Sequence, residues 1–193
     1  MDASTRATFF AFSRKIGCSK PRIGLIATNS ILPAIPLHPI LLTDIAPIEA
    51  QRARTMAVVE SLSSADLARI HPDSGWTVGQ LLGHIAGSEL GSAFFVRSAA
   101  QGDLIEMDLA SRDQFNDLET EKALAFDLRA LKGELADSAE ALREVFSELS
   151  EQDLEKPIVW PEWPARTIGE SIPYMVEHEA EHLMQIEDAI SAA

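Results

Sequence analysis

"RTIGESIPYMVEHEAEHLMQIEDAI" (residues 166–190) decides how this chain is read. Thr167 is followed three residues later by Glu170, which is a capping box and marks a helix start. Ile168, Ile172, Met175, Leu183 and Ile186 then recur at helical spacing, so one face is apolar. Pro173 lies about two turns in and is expected to kink the helix. His178 and His182 are four apart, so their rings share one face at the edge of that stripe. The segment "HEAEH" also matches H-E-x-x-H, the helix-borne zinc motif of metalloproteases. It can therefore be a protease site, a different metal site, or a chance spacing.

Working outward, the same punctuation appears again. "GWTVGQLLGHIAGSELGSAFFVRSAA" (75–100) opens with Thr77 and has Gln80 three residues on, a second capping box. "DIAPIEAQRARTMAVVESL" (44–62) reads as a helix capped by Asp44, with a proline in its first turn. "DLETEKALAFDLRALKGELADSAEALREVFSELS" (117–150) places Leu124, Leu128, Leu131, Leu135, Leu142, Val145, Phe146 and Leu149 on one stripe. That makes four long amphipathic helices and no convincing strand alternation. The expected fold is all-α, a four-helix bundle. The link at about 101–117 is long and polar, whereas antiparallel neighbours need only ~2–8 residues. Such a link can carry the chain back along the bundle and leave the second and third helices parallel.

An internal echo supports a built-in symmetry. "LSSADL" (62–67) recurs as "LSEQDL" (149–154). Each is followed by a tryptophan and then by "TVGQLL" (77–82) or "TIGESI" (167–172). The chain reads as two helical hairpins of one pattern.

Composition limits the function. Hydrophobic residues make up 46% of 193, charged residues 24%, and the formal net charge is −14. That field repels phosphate backbones and anionic membranes, so neither nucleic acid nor a membrane is expected as partner. No apolar run reaches the ~18 residues a spanning helix needs. A single cysteine, Cys18, excludes an internal disulfide and fits a reducing, cytoplasmic compartment. Residues 1–40 hold five Lys or Arg against one acid, while the remainder holds 11 basic and 29 acidic residues. We therefore divide the chain into a basic, proline-containing extension at 1–43 and a bundle at 44–193. The extension reads as an arm, a disordered segment, an organelle-targeting peptide or the result of a start codon assigned too far upstream.

Of five histidines, His38 falls in the extension and His71 in a loop. His84 flanks the stripe of the second helix (Val78, Leu81, Leu82, Ile85) as His178 and His182 flank theirs. One such histidine is an ordinary packed residue. Three on two echoing helices make a candidate ligand set with one tetrahedral position open, the arrangement of a catalytic zinc, with packed core histidines as the plain alternative. Glu89 and Glu179 each lie twelve residues after a capping threonine and project into the apolar stripes, where a carboxylate must be paired, protonated or near a cation. Either is a candidate proton acceptor, Glu179 first; the plain alternative is a solvated carboxylate. Tyr174, one turn before His178, is a candidate hydrogen-bond donor or a packing residue. Trp76, Trp160 and Trp163 read as anchors of the helix entries or as pocket wall.

"WTVGQLLGHIAGSE" and "TIGESIPYMVEHEAEHLMQIED" resemble the W-T-x-x-x-x-L-x-H-I/L helix and the H-x-x-x-H-x-x-Q-I ending of the DinB/YfiT-like four-helix-bundle metal proteins, over about residues 44–190. The resemblance implies an up-down-down-up bundle. It implies a divalent ion such as zinc or nickel on His84, His178 and His182, and often a homodimer. It also implies a small-molecule substrate, with a low-molecular-weight thiol as possible co-substrate for a transferase or isomerase. Many such proteins have no known reaction, so a non-catalytic metal-stabilised module stays open beside a thiol-dependent transferase or a hydrolase. A zincin protease needs a third ligand downstream and usually a sheet. Only eleven residues follow His182, none of them a histidine, so "HEAEH" is read as a bundle ligand pair.

Overall fold

The computed structural model describes residues 39–160 and 166–192. Expectations for Cys18, His38, Trp163 and most of the 1–43 extension lie outside the described residues. Helices α1 (Pro39–Ser61), α2 (Val78–Ala100), α3 (Leu109–Ala123), α4 (Leu128–Glu148), α5 (Glu151–Leu154) and α6 (Ile168–Ser191) follow in chain order. Among the described residues there is no strand, only isolated bridges Ile70↔Thr77 and Pro157↔Thr167.

Two apolar clusters fix the helix directions. One joins the start of α1 (Ile45, Ile48) and of α6 (Ile168, Ile172, Met175) to the end of α2 (Phe95, Val96, Ala99) and of α4 (Leu142, Val145, Phe146). The other joins the opposite ends: Val59 and Leu62, Ile186 and Ala189, Val78 to Ala86, and Leu131 with Leu135. Thus α1 and α6 run one way, and α2 and α4 run the other. The bundle is up-down-down-up.

The crossover explains that order. After α2, Gly102 takes φ +88°, and its N–H bonds the Ala99 carbonyl at 3.0 Å, which closes the helix in a conformation glycine allows cheaply. The expected loop at 101–117 instead contains most of α3, capped by Asp108 accepting from Ser111 N–H at 2.8 Å. Helix α3 returns along α2 on a glycine stripe. A Cβ at Gly83 would stand 2.3 Å from the Ala123 Cβ, and one at Gly87 would stand 2.7 Å from the Glu119 Cγ. Only absent side chains let the backbones approach so closely.

The segment 117–150 is not one helix. Leu124, Ala125 and Phe126 donate to carbonyls three residues back, the tightened end of α3, and Asp127 then caps α4 by accepting from Ala130 N–H at 2.8 Å. Leu124, expected on the core stripe, is 64% exposed because it belongs to the turn. The first helix begins at Pro39 rather than Asp44, which places Pro47 inside it, and α6 continues through Pro173.

The sequence echo is structural at the level of single bonds. Ser63 N–H and Oγ–H both donate to Asp66 Oδ2 (2.8 and 2.6 Å), and Ser150 does the same to Asp153 Oδ2 (2.8 and 2.6 Å). Asp66 pairs Arg69 at 2.9 Å, and Asp153 pairs Lys156 at 2.7 Å. Both capping boxes form, Thr77 with Gln80 and Thr167 with Glu170. In each, the helix's second residue is a glycine, Gly79 or Gly169, whose Cβ would sit 3.4 Å from a leucine carbonyl of the preceding repeat. The two hairpins, α1–α2 and α4–α6, are thus copies of one unit.

Candidate metal centre

His84 lies on α2, two turns after its cap; His178 and His182 lie on the facing side of α6. Their ligand atoms all fall within 4.8 Å of one another. His178 Nε2 is 3.3 Å from His84 Nε2 and 3.2 Å from His182 Nε2. Three imidazoles bound tetrahedrally at ~2.0–2.1 Å would hold their nitrogens about 3.3–3.4 Å apart. The donor set therefore fits a divalent ion. The tautomer fits as well: His182 Nδ1–H donates to Gln185 Oε1 at 2.9 Å, which leaves a lone pair on Nε2. His84 Nδ1 is buried with no hydrogen-bond partner.

Burial keeps this cluster neutral. Desolvation, then the neighbouring His182 and His178, lower the pKa of His84 to about 2. Desolvation and His182 lower that of His178 to about 3. Desolvation also lowers His182, while Gln185 and Glu181 pull the other way. A neutral imidazole is the form that ligates. Trp76 closes one side, its ring 5.0 Å from His84 and stacked 6.2 Å from His182. It packs against the histidine cluster as well as marking the helix entry. Trp160 packs edge-on against Phe95 at 4.2 Å, away from the histidines. His71 is a turn residue whose Nδ1 accepts from Ser74 N–H at 3.2 Å.

The carboxylates occupy symmetric places. Counted from the capping threonines, Glu89 and Glu179 are equivalent in the two hairpins, and both are buried. They converge on one cation, Arg52 of α1. Arg52 Nη2 bonds Glu89 Oε2, and Arg52 Nε stands 3.6 Å from Glu179 Oε1. Ser138 Oγ donates to Glu89 at 2.6 Å, and Thr55 Oγ1 donates to Glu179 at 2.5 Å. Burial pushes the Glu179 carboxyl up, against the lowering by Arg52 and Thr55. A narrow cleft joins the two groups: Arg52, Glu89, Glu179, Ser88 and His178 all line it. Ser88 Oγ also stands 3.4 Å from His84 Nε2. Tyr174, at the position equivalent to His84, is half-buried. Ser88 and Ser92 stand where His178 and His182 stand in the other hairpin, so the imidazoles are divided unevenly, one on α2 and two on α6.

Arg52 and Thr55 escaped the sequence reading. The signal existed: Ile45, Ile48, Arg52, Thr55, Val59 and Leu62 form one buried stripe of α1, and two of its core positions hold polar residues.

Comparison with known proteins agrees with this architecture. YfiT from Bacillus subtilis, described as "a probable metal-dependent hydrolase with an unusual four-helix bundle topology", superposes with a TM-score of 0.59 at 20% identity, covering 91% of this chain and 93% of that one. The mycothiol-dependent maleylpyruvate isomerase gives 0.65 at 13% identity, covering 76% of this chain and 60% of the isomerase. A mutant form of that isomerase gives 0.67 at 14%, with the same coverage. The chain thus spans about three-fifths of the isomerase's length. None of the curated proteins matches. No helix of the described residues is long and apolar enough to cross a membrane. The profile of the DinB superfamily matches residues 48–186, and the chain belongs to that superfamily.

Proposed function

We propose that this protein is a divalent-metal-dependent enzyme acting on a small molecule, of the thiol-dependent transferase or hydrolase type. One observation carries the reading: three neutral Nε2 atoms converge beside a cleft lined by two carboxyls and an arginine. A structural zinc is enclosed by four protein ligands, whereas a catalytic one keeps a position open. Among the described residues no fourth His, Cys, Asp or Glu joins the three histidines. A bound ion supplies a Lewis acid and lowers the pKa of a water or thiol that reaches it.

The chain's own residues would do the rest. His84, His178 and His182 hold the ion; imidazoles suit zinc, nickel and similar ions. Glu179, its carboxyl pushed up by burial, is the candidate proton acceptor, because an effective base has a pKa near the working pH. Glu89, held by Arg52 and Ser138, keeps Arg52 in place and is the second candidate. Tyr174, one turn from His178, is a candidate donor to substrate. Likeness to a mycothiol-dependent isomerase and to a probable metal-dependent hydrolase supports thiol-linked and hydrolytic chemistry respectively. A non-catalytic metal-stabilised module is the competing reading. Metal analysis of untagged protein, followed by a thiol-transfer and hydrolysis screen of the loaded form, tests the choice. Stoichiometric metal with turnover lost on chelation supports the enzyme. Metal that raises the melting temperature but never supports turnover favours the module.

A further inference from the structure

The cleft beside His178 has a neighbour. A second cleft lies between α1 and α4, lined by Glu49, Arg52, Ala139, Leu142, Arg143 and Phe146 among others. The two clefts share Ile48, Arg52, Glu89 and Leu142 as walls. At the outer end, Arg143 and Glu49 form an exposed ion pair at 2.8 Å. At the inner end, His178 and Ser88 face the histidine centre. An exposed pair of that kind is weakly held and easily parted.

The hydrogen-bond accounting along this route is one-sided. Each buried carboxylate has a hydroxyl donor and shares the guanidinium. On Arg52, which lines both clefts, Nη1 has no hydrogen-bond partner, and Nε has only the 3.6 Å ion pair with Glu179 Oε1. Buried donors left unmet are costly, and Arg52 is more than nine-tenths buried. A ligand completing this site must bring acceptors. With two carboxylates already beside one guanidinium, the site tolerates one added negative charge better than two.

We propose that the α1–α4 seam is the entrance to the histidine centre and that Arg52, at its inner end, binds the carboxylate of a small monoanionic ligand. That the ligand is a substrate rests on the enzymatic reading above; that Arg52 binds a carboxylate does not. The oxygen accepts from Arg52 Nη1–H while Nη2 stays on Glu89. Arg143 at the mouth draws the anion in.

The test uses the full-length protein, with and without added zinc. Acetate is titrated while the Arg52 Nε–H resonance is followed, and acetamide and inorganic phosphate serve as comparators. Acetate should shift that resonance in both metal states, acetamide should not, and phosphate should bind more weakly. Arg52→Gln alone would leave two buried carboxylates unpaired, so it is combined with Glu179→Gln. Acetate affinity of the double variant should fall by about 10- to 100-fold, as for loss of a charged hydrogen bond. Arg143→Glu should weaken acetate binding by about 2- to 5-fold. An unmoved Arg52 resonance, equal binding of acetamide, or binding that vanishes without metal overturns the role of Arg52. Tighter phosphate overturns the ligand class, and an Arg143→Glu protein with unchanged affinity overturns the entrance. If Arg52 binds acetate with and without zinc yet no reaction is ever found, this inference stands and the enzymatic reading fails.

Discussion

Acidification of the metal-free protein should destabilise it through the histidine cluster, by an amount that follows from burial. His84 and His178 are lowered to about 2 and about 3 from an ordinary 6.5. A histidine with a depressed folded pKa contributes its full stability above the unfolded pKa and loses it as pH falls below 6.5, because the unfolded chain takes up protons that the fold refuses. Each costs about 1.4 kcal/mol per pH unit below 6.5. At pH 5 that is roughly 2 kcal/mol for each, and about 4 kcal/mol for the two. His182 acts in the same direction. Glu179 and Glu119, raised by burial, act oppositely: the fold gains as pH falls through the window between their folded and unfolded values. The lowered Asp66, Asp108 and Asp153 lose their contribution only in more acidic solution. Urea unfolding of chelator-treated protein at pH 7.5 and pH 5 measures the sum. The His84→Ala/His178→Ala double variant removes the two largest contributors and leaves the carboxyls. The fall in stability from pH 7.5 to 5 should be about 4 kcal/mol larger in the parent than in that variant. A domain of this size has only ~5–15 kcal/mol to lose. Parallel pH dependence of the two proteins would refute the claim that the imidazoles are packed together and dry.

Replacing His84, His178 or His182 singly with Ala should each strip the ion to a similar extent, read by metal analysis after gel filtration; full occupancy in His84→Ala would break the cross-helix site. Gly83→Ala should destabilise by about 1–3 kcal/mol from overpacking against Ala123. Gly133→Ala, with nothing near its Cβ, should stabilise by about 1 kcal/mol; thermal melts that move in the same direction would contradict the close approach of α3 to α2. Glu179→Gln should keep metal content while turnover falls ~10²–10⁴-fold if the carboxyl is a base. A ~10–100-fold drop in metal affinity would instead mark it as a support for the ligands; normal metal and normal turnover would remove it from the mechanism.

The sequence by itself determined what depends on local chemistry. The capping threonines with Gln80 and Glu170, the apolar periodicity, and the two LSxxDL segments specify helices and a repeated hairpin within a few turns of chain. The i,i+4 spacing of His178 and His182 put two imidazoles on one face before any packing was known, and His84 followed from its place at the edge of the apolar stripe of the second helix. Element boundaries were less legible. Leu124 and Leu128 continue a helical spacing with no Gly or Pro between them, yet Asp127 caps a new helix there, just past the close approach of Ala123 to Gly83 of α2. Tertiary structure alone decided the rest. Glu89 and Glu179 each look unpaired on their own helix; only the pseudo-symmetric packing of four helices brings both to the single guanidinium of Arg52. The distances among three imidazole nitrogens on two helices, and the burial that holds them neutral, likewise arise from side chains far apart in sequence, which no periodicity along one helix encodes.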